Sequence, residues 1–415
     1  MSHLPKSITL WQGVGLLVTT MMGTGVFVLP QLTAQSAGSQ AIYAWVLLIL
    51  LMIPITWVFG VLGRKFPSSG GPAHLVRLAF GDYQGQVVGL MFLLLVPVGA
   101  PAAIEITMQF LQALVPLSAF PKYLIELLIL WGIYQVNKKG LSISGTIQAA
   151  LTITMLIVVI AIVVSYLFPQ KLPSNTLVFE PANWTLIGAT IGLAFWSFMG
   201  IETMSHLSEE FKDADRDFGK ALNIGVILVG TIYLVCTLFV LINPIQQSNL
   251  AMIDVFNQQF STGGKWIIGI LGIVSGAATV NVYNASAARL AYNLAGQKAA
   301  PQFWHQLNEF NIPTKALSSI LILIAIVLAI TNYLQVNLEE LILWTNGVFV
   351  LIYTLAMMSG VKLLTGKSRW MAIFATALCL VLCVSLFNDM LYAGVLVVVL
   401  SFWVRRKSLV RQIRN

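Results

Sequence analysis

The sequence predicts an all-α polytopic membrane protein of twelve transmembrane helices, two of them broken near their centres. Three observations carry this. Hydrophobic residues fill 58% of the 415 positions and charged residues only 9%, with a mean hydropathy of +0.86; soluble domains carry roughly 25% charge. The apolar stretches recur at about the 20 residues that a helix rising about 1.5 Å per residue needs to cross hydrocarbon. Two of those stretches are interrupted halfway by glycines, at Met21-Met22-Gly23-Thr24-Gly25-Val26-Phe27-Val28-Leu29-Pro30 and at Trp196-Ser197-Phe198-Met199-Gly200-Ile201-Glu202.

In chain order the spans are Ile8–Ala34, Ala41–Gly63, Gln84–Leu114, Lys122–Val136, Ser142–Phe168, Thr185–Phe211, Gly219–Ile242, Lys265–Gly296, Ala316–Thr331, Leu338–Leu364, Trp370–Phe387 and Met390–Val404, with a basic tail at 405–415. The first carries the Gly23/Gly25 pair, the third carries Pro97 and Pro101, and the sixth carries the second break. The first span is expected to be retained, because Met1 to Lys6 is short and lacks the small-residue cleavage site of a signal peptide. Of the 23 basic residues, all but Lys122, Lys171 and Lys265 fall on one side of this topology, so both termini are expected to be cytoplasmic. The same asymmetry accounts for the net charge of +8 beside an anionic leaflet, and no nucleic-acid-binding pattern accompanies it.

A helix broken inside a membrane frees backbone N–H and C=O groups that hydrocarbon cannot satisfy. After Gly23 the new helix start offers the amides of Thr24, Gly25 and Val26 and a positive dipole end to a carboxylate. The carbonyls of Thr20, Met21 and Met22, and those near Trp196 and Met199, can accept an ammonium. A free amino acid carries both groups, and each is costly to desolvate without a partner. Met21, Met22, Phe27, Trp196, Phe198 and Met199 supply apolar, adaptable surface, and no Lys or Arg falls at that depth, so the cargo side chain is expected to be uncharged and apolar. The competing reading of each break is a glycine kink satisfied by neighbouring helices.

The carboxylates within spans are few. Glu202 directly follows the second break, with His206 and Glu210 at successive four-residue steps on one face, a set suited to proton exchange or gating; the alternative is a structural acid bonded to backbone. Glu105, beside the prolines of the third span, is a further coupling candidate. Cys236, Cys379 and Cys383 all lie in apolar spans without further soft ligands, so neither a metal nor a redox role is expected. Metalloprotease, nucleophile-elbow and phosphate-loop motifs are missing, which leaves a membrane enzyme the distant alternative; Gly140-Leu141-Ser142-Ile143-Ser144-Gly145 has no evident His partner. An ion channel is possible in principle, but paired broken helices favour alternating access.

Four motifs occur in the order found in the amino acid–polyamine–organocation superfamily, which the chain resembles: Gly23-Thr24-Gly25-Val26-Phe27 with Pro30; Phe66-Pro67-Ser68-Ser69-Gly70-Gly71 with Ala79-Phe80-Gly81; Phe198-Met199-Gly200-Ile201-Glu202 with Glu209-Glu210 and Arg216; and Ala288-Arg289-Leu290-Ala291-Tyr292 with Pro301 and Pro313. Pro72-Ala73-His74 and the Gly before Lys220 depart from the usual pattern. The resemblance implies the LeuT-type inverted repeat, spans 1–5 (8–168) against spans 6–10 (185–364), with two peripheral helices (370–404) and substrate at the breaks, Gly200 included. Within the superfamily the chain looks most like a bacterial subgroup exporting L-methionine and branched-chain amino acids, hence an inner-membrane protein, monomer or homodimer, with protons as coupling ion and no cofactor. Trp196 is then the aromatic that gates or covers substrate. Uptake or exchange by the same fold remains the alternative. The lysine that some members place in the fifth span is missing between Ser142 and Phe168.

Overall fold

The protein is described by a computed structural model covering residues 8–68, 70–139, 145–167, 177–205, 208, 211–243, 250–260 and 263–414. It is all-helical among those residues, the one strand-like contact being a parallel bridge between Ile8 and Phe211. The helices are α1 (Leu10–Met22), α2 (Leu29–Ala37), α3 (Ala41–Lys65), α4 (Gly71–Phe80), α5 (Asp82–Leu114), α6 (Ala119–Lys138), α7 (Gly145–Leu167), α8 (Trp184–Ala194), α9 (Ile201–Ser205), α10 (Gly219–Ile242), α11 (Ala251–Phe260), α12 (Gly264–Gly296), α13 (Thr314–Leu334), α14 (Leu338–Leu363), α15 (Gly366–Ser385) and α16 (Leu391–Arg414). Among the described residues eight segments are long and apolar enough to cross a membrane, with α1 and the 150–166 stretch of α7 as shorter apolar helices.

Burial orders these helices. The apolar window of α5 is 89% buried, whereas those of α13 and α15 are 28% and 22% buried, so α5 is central and the other two present broad faces outward. Around α5 pack α12, α14, α4, α13 and α16, while α3, α1 and α2 pack on α10. In a bilayer, lipid tails cover the exposed Leu, Ile, Val and Phe of the outer helices, so their exposure marks a surrounding apolar solvent rather than a defect.

The local sequence explains the ends. Thr9 and Gln12 form a capping box at the start of α1, Gln12 Oε1 accepting from the Thr9 amide at 2.9 Å. Pro30 stands in the first turn of α2, where its missing N–H costs nothing. Two helices fall where only loop was expected: α4, which begins at Gly71-Pro72, and α11, between α10 and α12. Both are ten residues long, too short to span, so a search for membrane-length apolar runs passes over them. The chain also stays helical from Leu391 to Arg414, through the stretch expected to be a tail, since no Gly or Pro interrupts Val404 to Arg414.

Candidate functional site

The first interruption runs from the end of α1 at Met22 to the start of α2 at Leu29. The glycines there serve close approach: Gly23 has ordinary right-handed helical angles (φ −53°, ψ −36°), but a Cβ on it would collide with Thr279 Oγ1 of α12. One on Gly25 would collide with the Tyr233 hydroxyl of α10 and stand 2.9 Å from Leu29 Cδ1. The second interruption is a 3-10 turn over Phe195–Phe198, an extended Met199 (ψ 135°), and Gly200 at φ +128°, a region that L side chains rarely enter. A Cβ on Gly200 would also stand 3.0 Å from Thr20 Cγ2 and 3.3 Å from Met21 Cγ, so this residue lets the two breaks touch.

A hydrogen bond joins them, Trp196 Nε1 donating to Thr24 Oγ1 at 3.2 Å. Around it lies a cavity of about 40 Å³ lined by Thr20, Met21 and Thr24 of the first break, Trp196 and Met199 of the second, Leu95, Val96, Gly99, Ala100 and Ala103 of α5, Thr279, Val280 and Tyr283 of α12, and Thr345 and Phe349 of α14. Among the described residues no Lys, Arg, Asp or Glu lines it. That volume admits water but not an amino acid. Of the residues singled out in the sequence, Met21, Thr24, Trp196 and Met199 line the cavity, while Met22, Gly23, Gly25, Val26 and Gly200 are buried behind it.

The backbone groups of the first break divide sharply. The amides of Gly25 and Val26 both donate to the Met22 carbonyl at 3.2 Å, whereas those of Thr24 and Phe27 have no acceptor among the described residues. Tyr233 donates to the Met21 carbonyl at 3.1 Å and Ser275 to the Gly23 carbonyl at 2.7 Å, while the Thr20 carbonyl receives no backbone donor among the described residues. On the residues of the first break that face the cavity, the Thr24 N–H and the C=O groups of Thr20 and Thr24 are therefore open among the described residues. Tyr233 is itself held by stacking on Trp45 at 5.0 Å, and Trp45 Nε1 donates to Thr33 Oγ1 of α2 at 3.1 Å, which braces both halves of the broken helix.

Glu202 is wholly buried in the first turn of α9. Its carboxylate accepts from the Gly200 amide at 3.0 and 3.1 Å, the Tyr353 hydroxyl at 2.5 Å and the Tyr283 hydroxyl at 3.1 Å. Tyr283 also lines the cavity, so one phenol separates Glu202 from it. Nothing in the sequence marked Tyr283 or Tyr353, because their spacing from Glu202 is set by the packing of α12 and α14 and not by neighbours along the chain. Glu105 lies elsewhere: it pairs with Lys122 at 2.5 Å, and Lys122 is 3.8 Å from Glu126. His206 and Glu210, with Glu209, lie outside the described residues. In α7, Thr152 meets Thr19 of α1 side chain to side chain.

The amino acid permease family model matches residues 8–405. The chain belongs to that family. It is 36% identical over 409 residues to the L-methionine/branched-chain amino acid exporter YjeH of Escherichia coli (strain K12), covering 97% of this chain and 96% of that protein. The uncharacterized amino acid permease YecA of Bacillus subtilis (strain 168) is 26% identical over 98% of this chain and 97% of its own length. The arginine/ornithine antiporter of Latilactobacillus sakei is 24% identical over 75% of this permease and 70% of that relative.

Proposed function

We propose that this permease exports neutral apolar L-amino acids, methionine, leucine, isoleucine and valine, by alternating access. The observation that carries the reading is the cavity shared by the two breaks, lined among the described residues by apolar and hydroxyl side chains and by no charged one. The Thr24 amide is the donor for the carboxylate and the Thr20 carbonyl the acceptor for the ammonium; opening of the pocket frees the amides of Gly25 and Val26 to join. Met21, Met199, Trp196 and Phe349 surround the cargo side chain, and Ala100 and Ala103 leave it room. A cationic side chain such as that of lysine finds no counter-ion there, which excludes it by desolvation.

The architecture that supports this is twelve transmembrane helices, α1 and α2 forming the first and α8 and α9 the sixth, with 8–168 and 185–364 as inverted repeats. The protein lies in a bacterial inner membrane with both termini cytoplasmic. Export is chosen over uptake or exchange on the 36% identity to YjeH.

Proton flow drives the cycle through Glu202. Tyr353 and Tyr283 both donate to it, so their hydroxyls hold the ionised carboxylate in the absence of a basic side chain paired with it among the described residues. Taking up a proton turns one acceptor oxygen into a donor, so one phenol must turn its hydroxyl round to accept from it or let go. Such a change at Tyr283 couples that event to the cavity wall. Cells loaded with methionine or leucine dipeptides test direction: expression is expected to lower internal and raise external amino acid. Enhanced uptake with unchanged internal accumulation reverses the choice.

A further inference from the structure

The end of the bundle bearing the basic loops has a second cavity of about 410 Å³, on the outer surface between α3 and α10. Its wall is apolar, with Trp57, Val61 and Ile224, and its rim is basic, with Arg64, Arg216 and Lys220. The two helices meet beside it through glycines: a Cβ on Gly60 would stand 2.9 Å from Gly219 Cα, so any side chain at that crossing would push α3 and α10 apart. Charge is not balanced at the rim. Arg64 Nε lies 3.7 Å from Asp215 Oδ1 with its Nη1 donating to the Asp215 carbonyl at 3.3 Å, and Arg216 Nε lies 3.5 Å from Asp217 Oδ1. Lys220 is exposed and has no ion pair among the described residues, so of the charged side chains that line the cleft three are cations and one, Asp215, is a carboxylate.

We propose that this cleft binds an anionic phospholipid of the cytoplasmic leaflet, its phosphate on Lys220, Arg64 and Arg216 and an acyl chain against Trp57, Val61 and Ile224. The leaflet, though not the cleft chemistry, rests on the orientation proposed above. A free phosphate ion would satisfy the rim and leave the apolar wall uncovered, whereas a phospholipid covers both; basic residues at the edge of an apolar groove are the pattern that anionic headgroups recognise. The occupant would tie α3 to the segment running from Phe211 to Lys220. That segment closes against the start of α1, where the Lys212 amide donates to the Ile8 carbonyl at 2.9 Å, so the lipid would hold the link between the first and sixth helices at this end.

Native mass spectrometry of the whole permease, purified in detergent and supplied with phosphatidylglycerol or phosphatidylcholine, tests the site. Phosphatidylglycerol is expected to be retained in preference. Each basic residue near a headgroup contributes about fivefold, so Arg64→Gln with Lys220→Gln should weaken retention about 25-fold. Ile224→Trp, which fills the groove without changing charge, should weaken it too. Lys362→Gln with Lys367→Gln, also at basic positions but away from the cleft, should leave it unchanged. Because Lys220 is exposed, Lys220→Gln alone keeps the charge comparison readable if another variant fails to fold. Equal retention of the two lipids, equal loss in the Lys362/Lys367 control, no effect of Ile224→Trp, or full displacement by inorganic phosphate each overturns the proposal. Labelling of Lys220→Cys by an impermeant thiol reagent from outside the cell would instead overturn the orientation and leave the lipid site standing.

Discussion

At the scale of single residues, Gly200 and Glu202 form one unit. The carboxylate is seated on the Gly200 amide, and only glycine takes φ +128° there while leaving Thr20 and Met21 room. Gly200→Ala should therefore destabilise the protein by about 1–3 kcal/mol, the usual cost of a disfavoured backbone region, and should lower transport; thermal unfolding in detergent alongside efflux checks both. Glu202→Gln should keep the fold and substrate binding but remove the pH dependence of transport, since an amide of the same shape cannot exchange a proton; unchanged proton dependence takes Glu202 out of the mechanism. Trp196→Phe loses the hydrogen bond to Thr24, worth about 0.5–1.5 kcal/mol, and should raise KM several-fold while sparing expression. The sequence exposed Glu202 and Trp196 because a buried carboxylate and an indole beside a glycine break are conspicuous in an apolar span. It could not expose Tyr283 and Tyr353, which reach Glu202 from 81 and 151 residues away.

At the scale of elements, α5, α6 and α13 are joined by charge. Lys122 lies between Glu105 and Glu126, and Glu126 Oε2 accepts from Asn332 of α13 at 2.9 Å. Glu126 is fully buried, so its cation partner is structural. Lys122→Met should destabilise the protein by about 3–5 kcal/mol by leaving the buried Glu126 and the partly exposed Glu105 uncompensated, with part recovered in Lys122→Met/Glu105→Gln. Thermal unfolding in detergent checks both variants, and a double variant no more stable than Lys122→Met alone would contradict this reading of the triad. The sequence placed Glu105 near the prolines of α5 and left its partner open, since which carboxylate meets which lysine depends on helix rotation and not on spacing. The short helices α4 and α11 were hidden for a different reason: their amphipathic faces are signals of packing on the bundle and not of crossing a bilayer.

At the scale of the whole molecule, membrane character and the order of the long helices were legible because hydrocarbon imposes length and composition so strictly. Gly219–Ile242 was read with both ends as the structure has them, because the Asp- and Arg-rich segment before it and Asn243 after it fix them. How the helices pack was not legible, and with it went the cavity walls contributed by α5, α12 and α14, which no local motif announces. In the proposed function the whole bundle serves to bring two open backbone segments onto one uncharged cavity. The measurement that tests this most directly is counterflow of labelled L-methionine in proteoliposomes of the purified permease, challenged with leucine, with lysine, and with methionine analogues lacking either the carboxylate or the ammonium. The account predicts that leucine competes as well as methionine does, and that lysine and both truncated analogues fail. Competition by either truncated analogue at the level of methionine would contradict it.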